Sequence, residues 1–186
     1  MRYELRIMHY ALCIMIFCLV LSCGHQGTNG SAVEEKPLCD YESSSDGIRS
    51  LQVYDHKDTA KMGSHTFICS IHRAPDDSLA MVQDELGDLY KDNFYQLKIT
   101  KDGAPFFSHR YTKKDVTHLL NKSFIKYGIL DGFRFVRAEG GNLYFGMCVS
   151  YPESDMFTPF MLTVDPAGGY TIQVDESPLE AEEEGV

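Results

Sequence analysis

Asn142–Tyr151 reads NLYFGMCVSY, with Leu143, Phe145, Met147, Val149 and Tyr151 on one side and Tyr144, Gly146, Cys148 and Ser150 on the other. Successive side chains of an extended chain point to opposite faces, so this alternation belongs to a strand with one face turned to a core. An amphipathic helix would space its apolar residues three and four apart instead. The stretch therefore sets the class as mainly β, and its neighbours repeat the pattern. GFRFVRA (132–138), PFMLTVD (159–165) and YTIQV (170–174) alternate in the same way, and EGGN (139–142), PESDMFT (152–158) and PAGG (166–169) supply turns between them. Closely spaced glycine turns make sequential antiparallel hairpins the simplest topology.

Working back along the chain, SLQVYD (50–55) places Leu51 and Val53 on one face, and HTFICSIHR (65–73) predicts a strand buried on both sides. FYQLKIT (94–100) sets Tyr95, Leu97 and Ile99 against Gln96, Lys98 and Thr100. KDG (101–103) then returns the chain into APFFSHRYT (104–112), with Gly103 able to take the left-handed position a tight hairpin needs. RAPDDSLAMVQDELGDLYKDN (73–93) has no sustained period and reads as an acidic connection holding at most a short strand or a helical turn.

After the hairpin the period changes. Thr112 with Asp115 three residues on is the signature of a helix cap, and Val116, Leu119 and Leu120 share one face of the turns that follow, ending near Asn121. A sheet of about eight strands must close on itself or cover its apolar face, because open edges and bare apolar surface are costly. The expectation is a mainly β domain over residues 47–175: a single curved antiparallel sheet or small barrel-like meander of about eight strands with one short helix. A minor α+β variant is compatible with the same pattern.

Outside that domain the chain changes character. ALCIMIFCLVL (11–21) is an apolar run of 11 residues, where a membrane-spanning helix needs about 20. Arg2 and Arg6 precede it, giving the basic start, apolar middle and small-residue exit of a secretory signal peptide over residues 1–22. Val20-Leu21-Ser22-Cys23 resembles a bacterial lipobox, although Leu21 is larger than the residue usual at its position. In such signals the cysteine sulfur receives a diacylglyceryl group, the chain is cut before it, and the new amino terminus is acylated. Several acyl chains at ~0.8 kcal/mol per buried methylene hold a protein firmly to a membrane. Cys23 is the expected lipidation site; the alternatives are an ordinary signal cleaved near Ser22 or Gly24, or an uncleaved anchor.

Residues 23–46 are rich in Gly, Ser and acid and poor in aliphatics, so they read as a flexible tether of ~25–30 Å mean span. Residues 176–186, ending in EAEEEGV, read as a disordered acidic tail. The formal charge of −10 is concentrated in these ends: Asp175–Val186 alone carries six acids and no base. There is no basic footprint for nucleic acid. Once Cys13 and Cys18 leave with the signal and Cys23 is acylated, Cys39, Cys69 and Cys148 remain, which allows at most one disulfide within a chain.

No motif names a reaction. His65 and Cys69 lie about 13 Å apart on a strand at ~3.3 Å per residue, too far to share one zinc. Asp115 and His118 fit capping and surface roles. The acids Asp76, Asp77, Asp84, Glu85, Asp88 and Asp92 lack the spacing of a calcium loop. Cys148 lies mid-strand, where a small buried hydrophobe is the usual explanation. Neither a metal nor any cofactor is expected. Glu153 and Asp155 form the closest pair of carboxylates for acid and base work, and a hydrolase site would have to assemble from dispersed groups, with His72, His109, Asp84 and Glu153 as the donors.

The most distinctive segment is SYPESDMFTPF (150–160), which concentrates aromatics, methionine and proline in a connection. Such a loop either plugs the end of a core or presents a contact surface, and Tyr151, Met156, Phe157 and Phe160 are the candidate binding residues. The lipobox, the polar tether, and the runs IHRAPDDSL, VQDELGDLYKDNFYQLKI and VSYPESDMFTPFMLTV together resemble a family of lipoproteins from Bacteroidetes, the domain of unknown function 4738 group. The resemblance implies envelope localisation and lipidation, on either the periplasmic or the surface face, and no assigned activity. The resulting expectation is a non-catalytic binding or accessory module. It would be tethered by lipid to the membrane and face an envelope protein, a glycan or a small apolar ligand; the alternative is an envelope hydrolase.

Overall fold

The computed structural model describes residues 41–176. The strands are β1 (Tyr41–Ser43), β2 (Arg49–Leu51), β3 (Tyr54–Met62), β4 (His65–Pro75), β5 (Val82–Gln83), β6 (Leu89–Tyr90), β7 (Asn93–Lys101), β8 (Ala104–Tyr111), β9 (Ile129–Glu139), β10 (Asn142–Ser150), β11 (Phe157–Val164) and β12 (Tyr170–Val174). Between β8 and β9 lie a 3₁₀ helix (Lys113–Leu119) and the short helix α1 (Lys122–Tyr127).

Two antiparallel meanders dominate, one in the order β3-β4-β7-β8 and one in the order β12-β11-β10-β9. Their inner faces share one buried cluster: Phe67, Cys69 and Ile71 of β4 and Tyr95, Leu97 and Ile99 of β7 join Phe145, Met147 and Val149 of β10 and Phe160 and Leu162 of β11. Tyr95 of the first sheet stacks on Phe133 of the second with ring centroids 5.4 Å apart. Each buried side chain of this size contributes ~1.5–3 kcal/mol, so the shared layer is the main support of the fold. Val116, Leu120 and Phe124 of the helical connection belong to the same core.

The alternation in Asn142–Tyr151 holds: Leu143, Phe145, Met147 and Val149 are buried, while Tyr144, Gly146 and Cys148 are partly exposed on the outer face. The β7–β8 hairpin turns at Asp102 (φ 51°) and Gly103 (φ 83°), both in the left-handed region. The cap is present too, with the Thr112 N–H and hydroxyl donating to Asp115 Oδ2 at 2.8 and 3.1 Å.

The single-sheet, eight-strand expectation is corrected. A third sheet, β1-β2-β6-β5, contains a parallel β2–β6 pair, and the described ladders do not close into a barrel. Its strands are two or three residues long, too short to show a period. β5 and β6 arise within the acidic connection, and β1 falls inside the 23–46 span read as tether. Val53 shares no strand with Leu51 and is exposed. β4 buries one face only, since Ile68 on its outer side is 40% exposed. The single expected helix is two segments. α1 is started by Asn121, whose Oδ1 accepts from the N–H groups of Ser123 and Phe124, and its six residues are too few to carry a period. Residues 1–40 and 177–186, and with them Cys23, Cys39, the signal sequence, most of the tether and nearly all of the acidic tail, lie outside the described residues.

Candidate functional site

The outer face of the β9–β12 sheet carries the candidate site. Register sets Gly132 of β9 opposite Cys148 of β10, which in turn pairs with Pro159 of β11. Asp175, just past β12, donates its N–H to the Pro159 carbonyl at 3.0 Å and extends the row. One step along, Arg134 pairs with Gly146. Gly132 and Gly146 raise no side chains of their own, the Cys148 sulfur occupies the space over Gly132, and Arg134, Phe157 and Pro159 complete the lining. The result is a largely apolar groove of about 340 Å³ with the Cys148 thiol in its lining. Arg134 lies alongside Gly146, where a Cβ would meet its Cγ and Nε in ordinary contact at 3.6 Å.

One end of the groove is polar and buried. Between Cys148 and Val149 the β9–β10 register shifts, because Gly132 pairs with Cys148 but Leu130 pairs with Val149, leaving Asp131 as the extra residue of a bulge. Bulges re-aim a side chain, and here Asp131 Oδ2 accepts the Ser150 hydroxyl at 2.5 Å while the Tyr95 hydroxyl donates to the Asp131 carbonyl. Asp131 Oδ1 is buried with no partner among the described residues. Burial raises the Asp131 pKa, against the lowering effects of the Ser150 hydrogen bond and the Arg73 charge.

The four binding candidates separate. Phe160 is fully buried in the shared core, and Tyr151 packs on Phe124 at 4.6 Å while its hydroxyl bonds that of Ser123. These two plug the fold. Met156 is 50% and Phe157 39% exposed, and Phe157 lines the groove.

The dispersed hydrolase donors form three groups. Asp84 and Glu153 converge on the Tyr90 hydroxyl, at 3.5 and 3.1 Å. Arg49 also meets Glu153, and pairs with Asp88 at 3.0 Å. Burial, then the Glu153 hydrogen bond, pushes the Tyr90 pKa up to about 12. His72 pairs with Asp55 at 2.9 Å, whereas His109 meets Asp115 at 3.4 Å and the Tyr170 hydroxyl at 3.2 Å. Glu153 adopts φ 54°, a left-handed conformation unusual outside glycine, and its carboxylate ties the 151–156 connection to the small sheet. That arrangement is a latch between elements. Asp155 is exposed. No three His, Cys, Asp or Glu side chains cluster as metal ligands among the described residues.

Cys69 and Cys148 are both thiols, Cys69 in the core and Cys148 in the lining of the outer groove. Sequence reasoning missed Asp131, Gly132 and Arg134. Two signals were available: a glycine inside each of two strand patterns, DGF and FGM, marks a place where something approaches the backbone closely.

No curated protein matches the chain. A family model does, described as Domain of unknown function (DUF4738), over residues 36–172. That span starts just ahead of β1, ends within β12, and takes in all three sheets and every residue of the groove except Asp175. The match is to the folded unit as a whole, and the chain belongs to the DUF4738 family.

Proposed function

We propose that the protein is a bacterial cell-envelope lipoprotein of the Bacteroidetes type, held to a membrane through acylated Cys23, and that its β domain is a non-catalytic binding module. The observation that carries the reading is the apolar groove on the outer face of the β9–β12 sheet, where the exposed Phe157 stands beside Pro159 and Cys148. Exposed apolar side chains flanking a concave surface are what a contact face requires. A hydrolase is disfavoured because its four candidate donors fall into three separate groups, and in the one that holds two of them, Asp84 and Glu153 at the Tyr90 hydroxyl, Glu153 is tied to Arg49.

Two measurements test this. Metabolic labelling with an alkynyl fatty acid, with Cys23→Ser alongside, reads the anchor: loss of label and of membrane association is expected, and a variant that stays membrane-bound and uncut removes the lipoprotein reading. Pulldown of the full chain from its native envelope, with and without Phe157→Ala, reads the face. Capture of a ligand or partner that weakens in the variant supports the groove, whereas capture indifferent to Phe157 places the contact elsewhere. Hydrolysis of an ester, glycoside or peptide panel, abolished by Glu153→Gln or His109→Ala, would overturn the module in favour of an enzyme.

A further inference from the structure

We propose that the groove takes a small amphipathic monocarboxylate, its apolar body lying over Cys148 against Phe157 and Pro159 and its carboxylate on Arg134. This rests on the groove being the contact face, and adds the chemistry of what fits there.

The size comes first. A volume of about 340 Å³ is at the lower end of the ~300–1,000 Å³ of small-molecule sites, enough for a bicyclic ring or a medium acyl chain. The floor comes next. Gly132 and Gly146 sit diagonally on adjacent strands, opposite Cys148 and Arg134, and the Cys148 sulfur fills the space over Gly132, so a flat body between Phe157 and Arg134 rests on the thiol rather than on bare backbone.

Charge then selects the headgroup. Arg134 is exposed, lies along the Gly146 edge, and has no hydrogen-bond or ion-pair partner among the described residues. A guanidinium presents a planar fork that matches a carboxylate with two parallel hydrogen bonds. It stands alone, and one positive charge suits a monoanion better than a phosphate dianion. Asp175 bounds the far side of the groove. Three strand spacings of ~4.8 Å separate its row position from the β9 column, about 14 Å, beyond a Debye length of ~8–10 Å, so its charge bears little on an anion at Arg134. Asp131 lies nearer, but its burial disfavours the charged form and weakens its repulsion.

Equilibrium dialysis of the full chain in lipid nanodiscs tests this with three probes of matched shape: 2-naphthoate, 2-naphthalenemethanol and 2-naphthylmethylamine. 2-Naphthoate is expected to bind about tenfold or more tighter than the alcohol, as a charge-assisted pair implies, with the amine weakest. Arg134→Gln should bring 2-naphthoate to the level of the alcohol and leave the alcohol unchanged, while Phe157→Ala should weaken both. Equal binding of the three probes, or a carboxylate preference that survives Arg134→Gln, overturns the carboxylate and leaves the groove as a binding surface. Binding of none overturns the inference as well, and the envelope pulldown with Phe157→Ala then decides separately whether the groove is a contact face.

Discussion

A Cβ added to Gly132 would lie 2.5 Å from the Cys148 sulfur, so the glycine exists to make room for the thiol across the β9–β10 pair. Gly132→Ala should therefore destabilise by about 1–3 kcal/mol, the usual cost of overpacking. Cys148→Ala removes the sulfur and leaves only its Cβ, 3.8 Å away and in ordinary contact, so it should rescue most of that loss. A double-mutant cycle by urea unfolding measures the coupling, expected at about 1 kcal/mol or more for residues in direct contact. Additive effects would show that the strand pair relaxes without the glycine.

Asp131 gives the fold a pH dependence of definite sign. Burial raises its folded pKa above the unfolded value of about 3.9, so the native state holds the proton more tightly. Such a group subtracts no stability below the unfolded value and subtracts progressively more as pH climbs toward the folded value. Asp131→Asn keeps an acceptor for the Ser150 hydroxyl but cannot ionise. The variant should thus match the parent near pH 4 and exceed it at pH 8. Urea midpoints at both values read the gap. A gap that is constant, or widest at the acid end, would contradict the burial argument.

How much of this was legible in the sequence depended on the range of the interaction behind each feature. Alternation is local, so β7, β8 and β10 were readable from their own residues, as was the Thr112–Asp115 cap. Phe160 was readable as well: PFMLTVD places it in phase with Leu162 and Val164, and that phase outranks its membership of an aromatic loop. The two- and three-residue strands of the small sheet were not legible, because pairing rather than pattern creates them. Nor was Asp131, since a bulge is a property of register between two strands and has no signature in either. Arg134 looked like any outward polar residue of a strand, and only its place in the lining of the groove sets it apart.

Asp115 offers a local test of the helical connection. Its carboxylate accepts the Thr112 N–H at 2.8 Å and the Thr112 hydroxyl at 3.1 Å, and Val116 beside it is fully buried. Asp115→Ala should cost about 0.5–2 kcal/mol, the range for losing a helix cap, whereas Asp115→Asn should retain part of it by keeping one acceptor oxygen. Thermal melts of the two variants should rank parent, Asn, Ala. A melt unchanged in Asp115→Ala would mean the connection is held by Val116, Leu120 and Phe124 alone.

The two thiols should separate cleanly under alkylation, and that separation reports on the groove. Cys69 is buried in the core, where loss of solvation pushes its pKa up to about 12. At pH 8 its thiolate is then on the order of one molecule in ten thousand, and the reagent has no path to it. Cys148 is half-exposed in the lining of the groove. Iodoacetamide at pH 8 should modify Cys148 in the native protein and Cys69 only after denaturation, as peptide mass mapping reads directly. Anything seated between Phe157 and Arg134 covers the sulfur, so saturating 2-naphthoate should slow Cys148 alkylation several-fold while leaving small-molecule thiol controls unaffected. Phe157→Ala should restore the rate by weakening the occupant. Protection that persists in Phe157→Ala, or Cys69 labelling as fast as Cys148, would place the bound probe outside the groove or show that the two meanders open on the timescale of the reaction.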